Sequence, residues 1–199
     1  MSIIGCYKES PKFVKDFIMT TAKHEGGYVD DPSDSGGETN WGITYKTALK
    51  FKGSWNLYNW NGDMKTMPIE FAKDVYAYDY FYIPRFNLVA KESELIAQEL
   101  FDTGVNTGTS RPSRWLQELL NVFNNNQSYY GDISEDGIIG KGTCSALKSF
   151  LNKRGKKGEE VLYNALNIKQ GAFYIDLATR RSKDEKFVWG WLVNRTDFK

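Results

Sequence analysis

Three carboxylates lie close together in the first fifth of the chain. Glu25 closes an amphipathic segment, Asp34 follows in a glycine-rich stretch, and Glu38 comes shortly after. A carboxyl where a helix leaves the core for a loop can be half-buried. Desolvation then raises its pKa, and that is how a glutamate becomes a general acid near neutral pH. A hairpin between Glu25 and Thr44 would bring the later carboxylates back across a groove from Glu25. Two carboxylates facing each other across a cleft are the minimum equipment for hydrolysing a glycosidic bond. The same residues also fit a plain structural account, with Glu25 as an exposed helix end and Asp34-Ser35-Gly36 as an ordinary turn.

Other hydrolytic chemistries lack their parts. The chain has one histidine, His24, and two distant cysteines, Cys6 and Cys144. No metal-ligand spacing, disulfide framework or Gly-x-Ser-x-Gly elbow is present, so neither a metal nor a cofactor is expected. Asp132, Ser134, Asp136 and Gly137 match the early positions of a calcium loop, but Thr143 stands where a bidentate glutamate is needed.

The elements that must position these residues are mostly helices. Apolar spacing predicts helices over 11–24, from about Thr66 and Pro68 to Phe81, from about Glu92 to Gly104, and after Pro112 up to Asn124. Two more are expected at about Thr143–Asn152 and Glu159–Arg181, separated by a charged turn at 153–158. Residues 25–43 form a polar loop whose Tyr28-Val29 and Trp41-Gly42-Ile43 edges can pair. Thr44 is placed to cap the helix that follows. The fold class expected is mainly α, with at most one small β-hairpin.

Residues 24–44 carry a recognisable pattern. His24-Glu25-Gly26-Gly27-Tyr28 followed by Gly36-Gly37-Glu38-Thr39-Asn40-Trp41-Gly42-Ile43-Thr44 resembles the signature of glycoside hydrolase family 108, the phage-type endolysins with N-acetylmuramidase activity. The resemblance implies a lysozyme-like helical fold. It also implies a peptidoglycan hydrolase that cleaves the β-1,4 bond between N-acetylmuramic acid (MurNAc) and N-acetylglucosamine (GlcNAc), with Glu25 as the essential catalytic residue. The spacing from Glu25 to Asp34 resembles that of phage lysozymes, whose threonine position is occupied here by Asn40, with Thr39 one residue early. Asp34 is the first candidate for the second catalytic group and Glu38 the second. Gly26, Gly27, Tyr28, Thr39, Asn40 and Trp41 are candidate substrate contacts, with Trp41 the best candidate for stacking on a sugar.

The resemblance continues beyond the signature. Phe101-Asp102-Thr103-Gly104-Val105-Asn106-Thr107-Gly108 resembles a second family segment. Asp102 and Asn106 stand one helical turn apart, where they can line one groove; Gly104 and Gly108 would in any case end a helix there. Asp136 through Leu147 looks like the core of helical peptidoglycan-binding modules, and physically it is a tight turn with Thr143 capping a helix. Phe187 through Arg195 resembles the family's terminal pattern and makes Trp191 a further sugar-contact candidate. The division implied is a catalytic region at 1–108 and a peptidoglycan-binding-like region at 109–199, packed as one compact unit. Members of this group have also been called secretion activators, so a non-catalytic or weakly catalytic wall-binding accessory protein is the alternative reading.

The charge balance narrows the partners. With 26 basic and 25 acidic residues the net charge is +1, which argues against a nucleic-acid partner. Residues 1–140 sum to −6 and residues 141–199 to +7, so the C-terminal part can favour an anionic wall. The first residues lack the apolar core of a standard signal peptide. A chain made in the cytoplasm would then reach the wall through a holin-like or other export pore.

Overall fold

The computed structural model describes residues 3–24, 27–30 and 37–196, and of residues 22–24 the backbone alone. The fold is mainly α and lysozyme-like, with one small antiparallel sheet. The chain divides into two compact units, Met1–Ile83 and Pro84–Lys199. No helix among the described residues is long and apolar enough to cross a membrane.

In the first unit, α1 (Cys6–Glu9) and α2 (Lys12–His24) lead to β1 (Thr39–Asn40) and β2 (Ile43–Thr44). The helices α3 (Tyr45–Leu49) and α4 (Ile69–Ala77) follow, linked by 3-10 turns at Lys52–Tyr58 and Met64–Thr66. Thr44 caps α3 as expected, its hydroxyl accepting from the Thr47 backbone N–H at 3.2 Å. Pro68 caps α4, because it lacks the N–H that a helix start would leave unpaired. The helix then widens into a π turn at Tyr78–Tyr82. Its buried stripe of Phe71, Val75 and Phe81 forms the core of the unit together with Val14 and Ile18 of α2. The segment at 53–63 contributes to that core as well: Trp55 and Trp60 are buried, and Trp60 packs on Phe71 with centroids 4.9 Å apart. Asp74 ties down the N-terminal segment. Its carboxylate accepts from the backbone N–H groups of Gly5 and Tyr7 and from the Tyr58 hydroxyl. That hydrogen bond, after burial itself, holds the Tyr58 hydroxyl well above its ordinary pKa.

In the second unit, α5 (Phe86–Val89) precedes α6 (Glu94–Thr107), α7 (Ser110–Val122), α8 (Lys141–Arg180) and α9 (Glu185–Arg195). Ser93 caps α6 by accepting from Ile96 N–H at 3.0 Å. Gly104 does not end that helix. It is buried within it, and Gly108, with a φ of 83°, is the cap. The charged turn expected at 153–158 shrinks to one residue. Gly155 alone leaves helical geometry, at φ 58° and ψ −155°, because the lysines and arginine around it are good helix formers.

The Asp136-Gly137 turn is held by a side chain from α7. Gln117 is buried; its Nε2 donates to Asp136 Oδ1 at 2.9 Å and to the Ile138 carbonyl at 3.1 Å, and its Oε1 accepts from Gly137 N–H at 2.7 Å. Gly137 has a φ of 76°, and a Cβ there would come within 2.6 Å of Ser110 Oγ. Thr143 is not the cap of α8. Gly140 occupies that position, and the Thr143 hydroxyl turns inward to accept from Gln117 Nε2 at 3.3 Å.

Candidate functional site

Glu25, Gly26 and Asp34 lie outside the described residues. The described part of the signature forms a braced hairpin. β1 pairs with β2, with Thr39 opposite Thr44 and Asn40 opposite Ile43, and Val29 bridges to Thr39 on the other side. Trp41 and Gly42 are therefore not a strand edge but the two-residue turn itself. Both have positive φ, 53° and 73°, as a tight type I′ hairpin turn requires. Glycine takes that conformation freely, whereas a tryptophan there is strained and persists only where its surroundings hold it. Two hydrogen bonds hold Trp41. Its Nε1 donates to the Met67 carbonyl at 3.0 Å, and its own carbonyl accepts from the Tyr76 hydroxyl at 3.2 Å. Asn40 is buried and donates to the Met64 carbonyl at 2.6 Å. Asn40 and Trp41 thus anchor the hairpin to the segment leading into α4.

Glu38 and Tyr28 meet on this hairpin. The Tyr28 hydroxyl donates to Glu38 Oε1 at 3.0 Å. Partial burial first, then the Glu38 hydrogen bond and the nearby charge of Asp30, push the Tyr28 pKa up to about 12. At neutral pH Tyr28 is therefore a fixed donor that orients Glu38, not an acid. Lys65 Nζ stands 5.3 Å from the centre of the Tyr28 ring. Thr39 is half-buried, its hydroxyl donating to the Gly37 carbonyl at 3.3 Å. Gly27 is exposed, with a φ of 124°.

Asp102, Asn106 and Trp191 lie in the second unit. Asp102 Oδ1 pairs with Arg195 Nη1 at 2.9 Å, and its Oδ2 accepts from Gln170 Nε2 at 3.4 Å. Burial holds the Asp102 carboxyl above its ordinary pKa, opposed by Arg195 and the Gln170 hydrogen bond. Asn106 donates back to the Asp102 carbonyl at 2.8 Å. Asn106 and Trp191 share the lining of a cleft of about 450 Å³ with Arg111, Phe173, Tyr174 and Arg181. Trp191 packs against Tyr174 and Phe187, at 5.3 and 6.0 Å between centroids. Asp102 does not line this cleft but is linked to its Tyr174 wall through Gln170, whose Nε2 also donates to the Tyr174 hydroxyl at 3.2 Å. Three residues the sequence reading did not single out, Arg111, Gln117 and Gln170, are central here. The Arg111-x-x-Arg114 pair on an amphipathic helix was the available signal for the first.

Two family models match the chain. Residues 18–108 match the model of the Glycosyl hydrolase 108 family, and residues 111–196 match the Predicted Peptidoglycan domain. The hydrolase region thus belongs to glycosyl hydrolase family 108, and a predicted peptidoglycan domain follows it. Its function is accordingly related to peptidoglycan. Among solved structures it is similar to that of Brucella abortus SagA, with a TM-score of 0.59 and 20% identity over 92% of this chain and 96% of that one. That likeness concerns the fold. No curated protein matches the chain.

Proposed function

We propose that this protein is a muramidase that hydrolyses the β-1,4 bond between N-acetylmuramic acid and N-acetylglucosamine in peptidoglycan. Glu25, in the protonated form, donates to the leaving glycosidic oxygen. A second carboxylate, Asp34 first and Glu38 second, stabilises or assists attack on the oxocarbenium-like centre. The observation that carries this reading is the braced hairpin, which falls within the family match. It fixes Glu38 through Tyr28 and locks its own turn through Trp41 and Asn40. Catalytic carboxylates need such preorganisation, because a misplaced one loses most of its effect.

Peptidoglycan lies outside the inner membrane, so this activity requires an export route, and a holin-like pore supplies one. The test is lysis of purified sacculi by wild type, Glu25→Gln, Asp34→Asn and Glu38→Gln. Glu25→Gln should lower the rate by about the 10²–10⁴-fold typical of a lost general acid. The larger loss of the other two variants identifies the second group. Sacculus binding with no release of reducing ends by the wild type would instead support the wall-binding accessory role.

A further inference from the structure

We propose that Arg111 is the centre of a carboxylate-recognising subsite for the peptide-bearing sugars of peptidoglycan. This rests on the peptidoglycan reading above, but not on catalysis. Arg111 stands in the first turn of α7, half-buried. Its Nη1 donates to the Thr107 carbonyl at 2.8 Å, and its guanidinium lies over the Phe173 ring, 4.0 Å from the centroid. The plane of the fork is therefore fixed before any ligand arrives.

Arg114, which lines the second cleft, bonds the Asp136 carbonyl, but three other arginines near it differ from Arg111 in one respect. Arg180 is paired with Asp176, Arg181 with Asp184 and Arg195 with Asp102. Among the described residues Arg111 has no carboxylate partner within ion-pair distance. A partly desolvated cation without a counter-ion is unfavourable unless a ligand supplies the charge. An arginine fork matches a carboxylate in two parallel hydrogen bonds.

The surroundings indicate what kind of carboxylate. Arg111 and Thr107 line two clefts at once, one of about 450 Å³ and one of about 520 Å³. The first presents Phe173, Tyr174 and Trp191, and the second presents Trp115 beside Ser110 and Arg114. Among the described residues no acidic side chain lines either cleft. The start of α7 adds the positive end of a helix dipole. Aromatic faces on both sides of one fixed cation suit a ligand with sugar or peptide surface around its carboxylate. A bare phosphodiester chain would leave those rings unused.

The test is calorimetric titration of the full chain with a GlcNAc-MurNAc-tetrapeptide, which contains no MurNAc-GlcNAc bond to cleave. The same muropeptide with its carboxyls converted to amides is the second ligand. The wild type should bind the free form about tenfold more tightly than the amide. Arg111→Gln should lose that preference, and Arg111→Lys should retain part of it. Equal binding of both ligands by the wild type would overturn the proposal, and this comparison needs no variant to fold. Full preference retained in Arg111→Gln would overturn it too, as would tighter binding of poly(glycerol phosphate) than of the muropeptide. The outcome is separable from the enzymatic reading. Preference without sacculus hydrolysis refutes the muramidase alone, and hydrolysis without preference refutes the subsite alone.

Discussion

Arg195, on the last helix, reaches Asp102 on α6, with Nη1 2.9 Å from Oδ1. Asp102 belongs to the stretch matched by the hydrolase model and Arg195 to the stretch matched by the peptidoglycan-domain model. The two residues are 93 positions apart in sequence, yet they form one ion pair.

Breaking that pair should destabilise the protein and make its stability depend on pH. Arg195→Met leaves a largely buried carboxylate without its cation, which should cost about 2–4 kcal/mol given some exposure of the arginine. Burial already holds the Asp102 pKa above its ordinary value, and removing Arg195 raises it further. A raised carboxyl pKa gives stability that is present below the unfolded-state value and lost as pH rises through the folded-state value. The deficit of Arg195→Met should therefore shrink as pH falls towards the ordinary carboxylate range. Adding Asp102→Asn should restore most of the loss at neutral pH. Urea unfolding of the four proteins of this cycle between pH 4 and 8 measures all three effects.

The clasp on the Asp136-Gly137 turn gives a second expectation. Gln117→Leu strands the Gly137 N–H and the Ile138 carbonyl, and should cost about 2–3 kcal/mol in thermal or urea unfolding. Asp136 titrates in the opposite sense to Asp102. The Ile138 N–H first, then Gln117, hold its pKa below the ordinary value. Its contribution is therefore present above the unfolded-state pKa and lost as pH falls through the folded one. Asp136→Asn should remove part of the acid sensitivity of the wild type below about pH 4.

The tyrosine on the hairpin separates a structural Glu38 from a catalytic one. Tyr28→Phe removes only the hydroxyl that donates to Glu38 Oε1. If Glu38 acts on the substrate, kcat for sacculus lysis should fall in Tyr28→Phe by about tenfold, the worth of one hydrogen bond to a charged group. If Glu38 only braces the loop, thermal stability should fall while kcat holds.

The basic segment around the break in α8 gives a surface prediction. Lys153, Arg154, Lys156 and Lys157 are exposed, and Lys153 and Arg154 also lie over the Tyr129 ring. Neutralising all four should weaken sacculus binding and flatten its salt dependence, because exposed charges act through a screened field. Co-sedimentation at low and high salt reads this directly.

Much of the scaffold was legible in the sequence. The apolar stripes of α2, α4, α6 and α7, the Thr44 cap and the small sheet follow from spacing and cap chemistry. The misreadings share a cause. Trp41 looked like a strand residue because tryptophan rarely tolerates positive φ; only the Met67 and Tyr76 contacts make that turn possible. Thr143 looked like a cap because it opens an apolar run, but Gln117, distant in sequence, draws it inward. The α9 helix and the Arg195–Asp102 pair depend on partners that no local pattern reveals. In the candidate site, residue types pointed to carboxylate chemistry and the family pattern to which carboxylates. The preorganisation of Arg111 by Phe173 and Thr107 was invisible, because stacking and partner-free charge are properties of the fold.

The central claim concerns one bond and one carboxyl. Mass spectrometry of the fragments that wild type and Glu25→Gln release from purified sacculi tests both together. The account predicts disaccharide-peptides with N-acetylmuramic acid at the reducing end from wild type, and almost none from Glu25→Gln. Fragments with N-acetylglucosamine at the reducing end, cut stem peptides on intact glycan, or undiminished release by Glu25→Gln would contradict it.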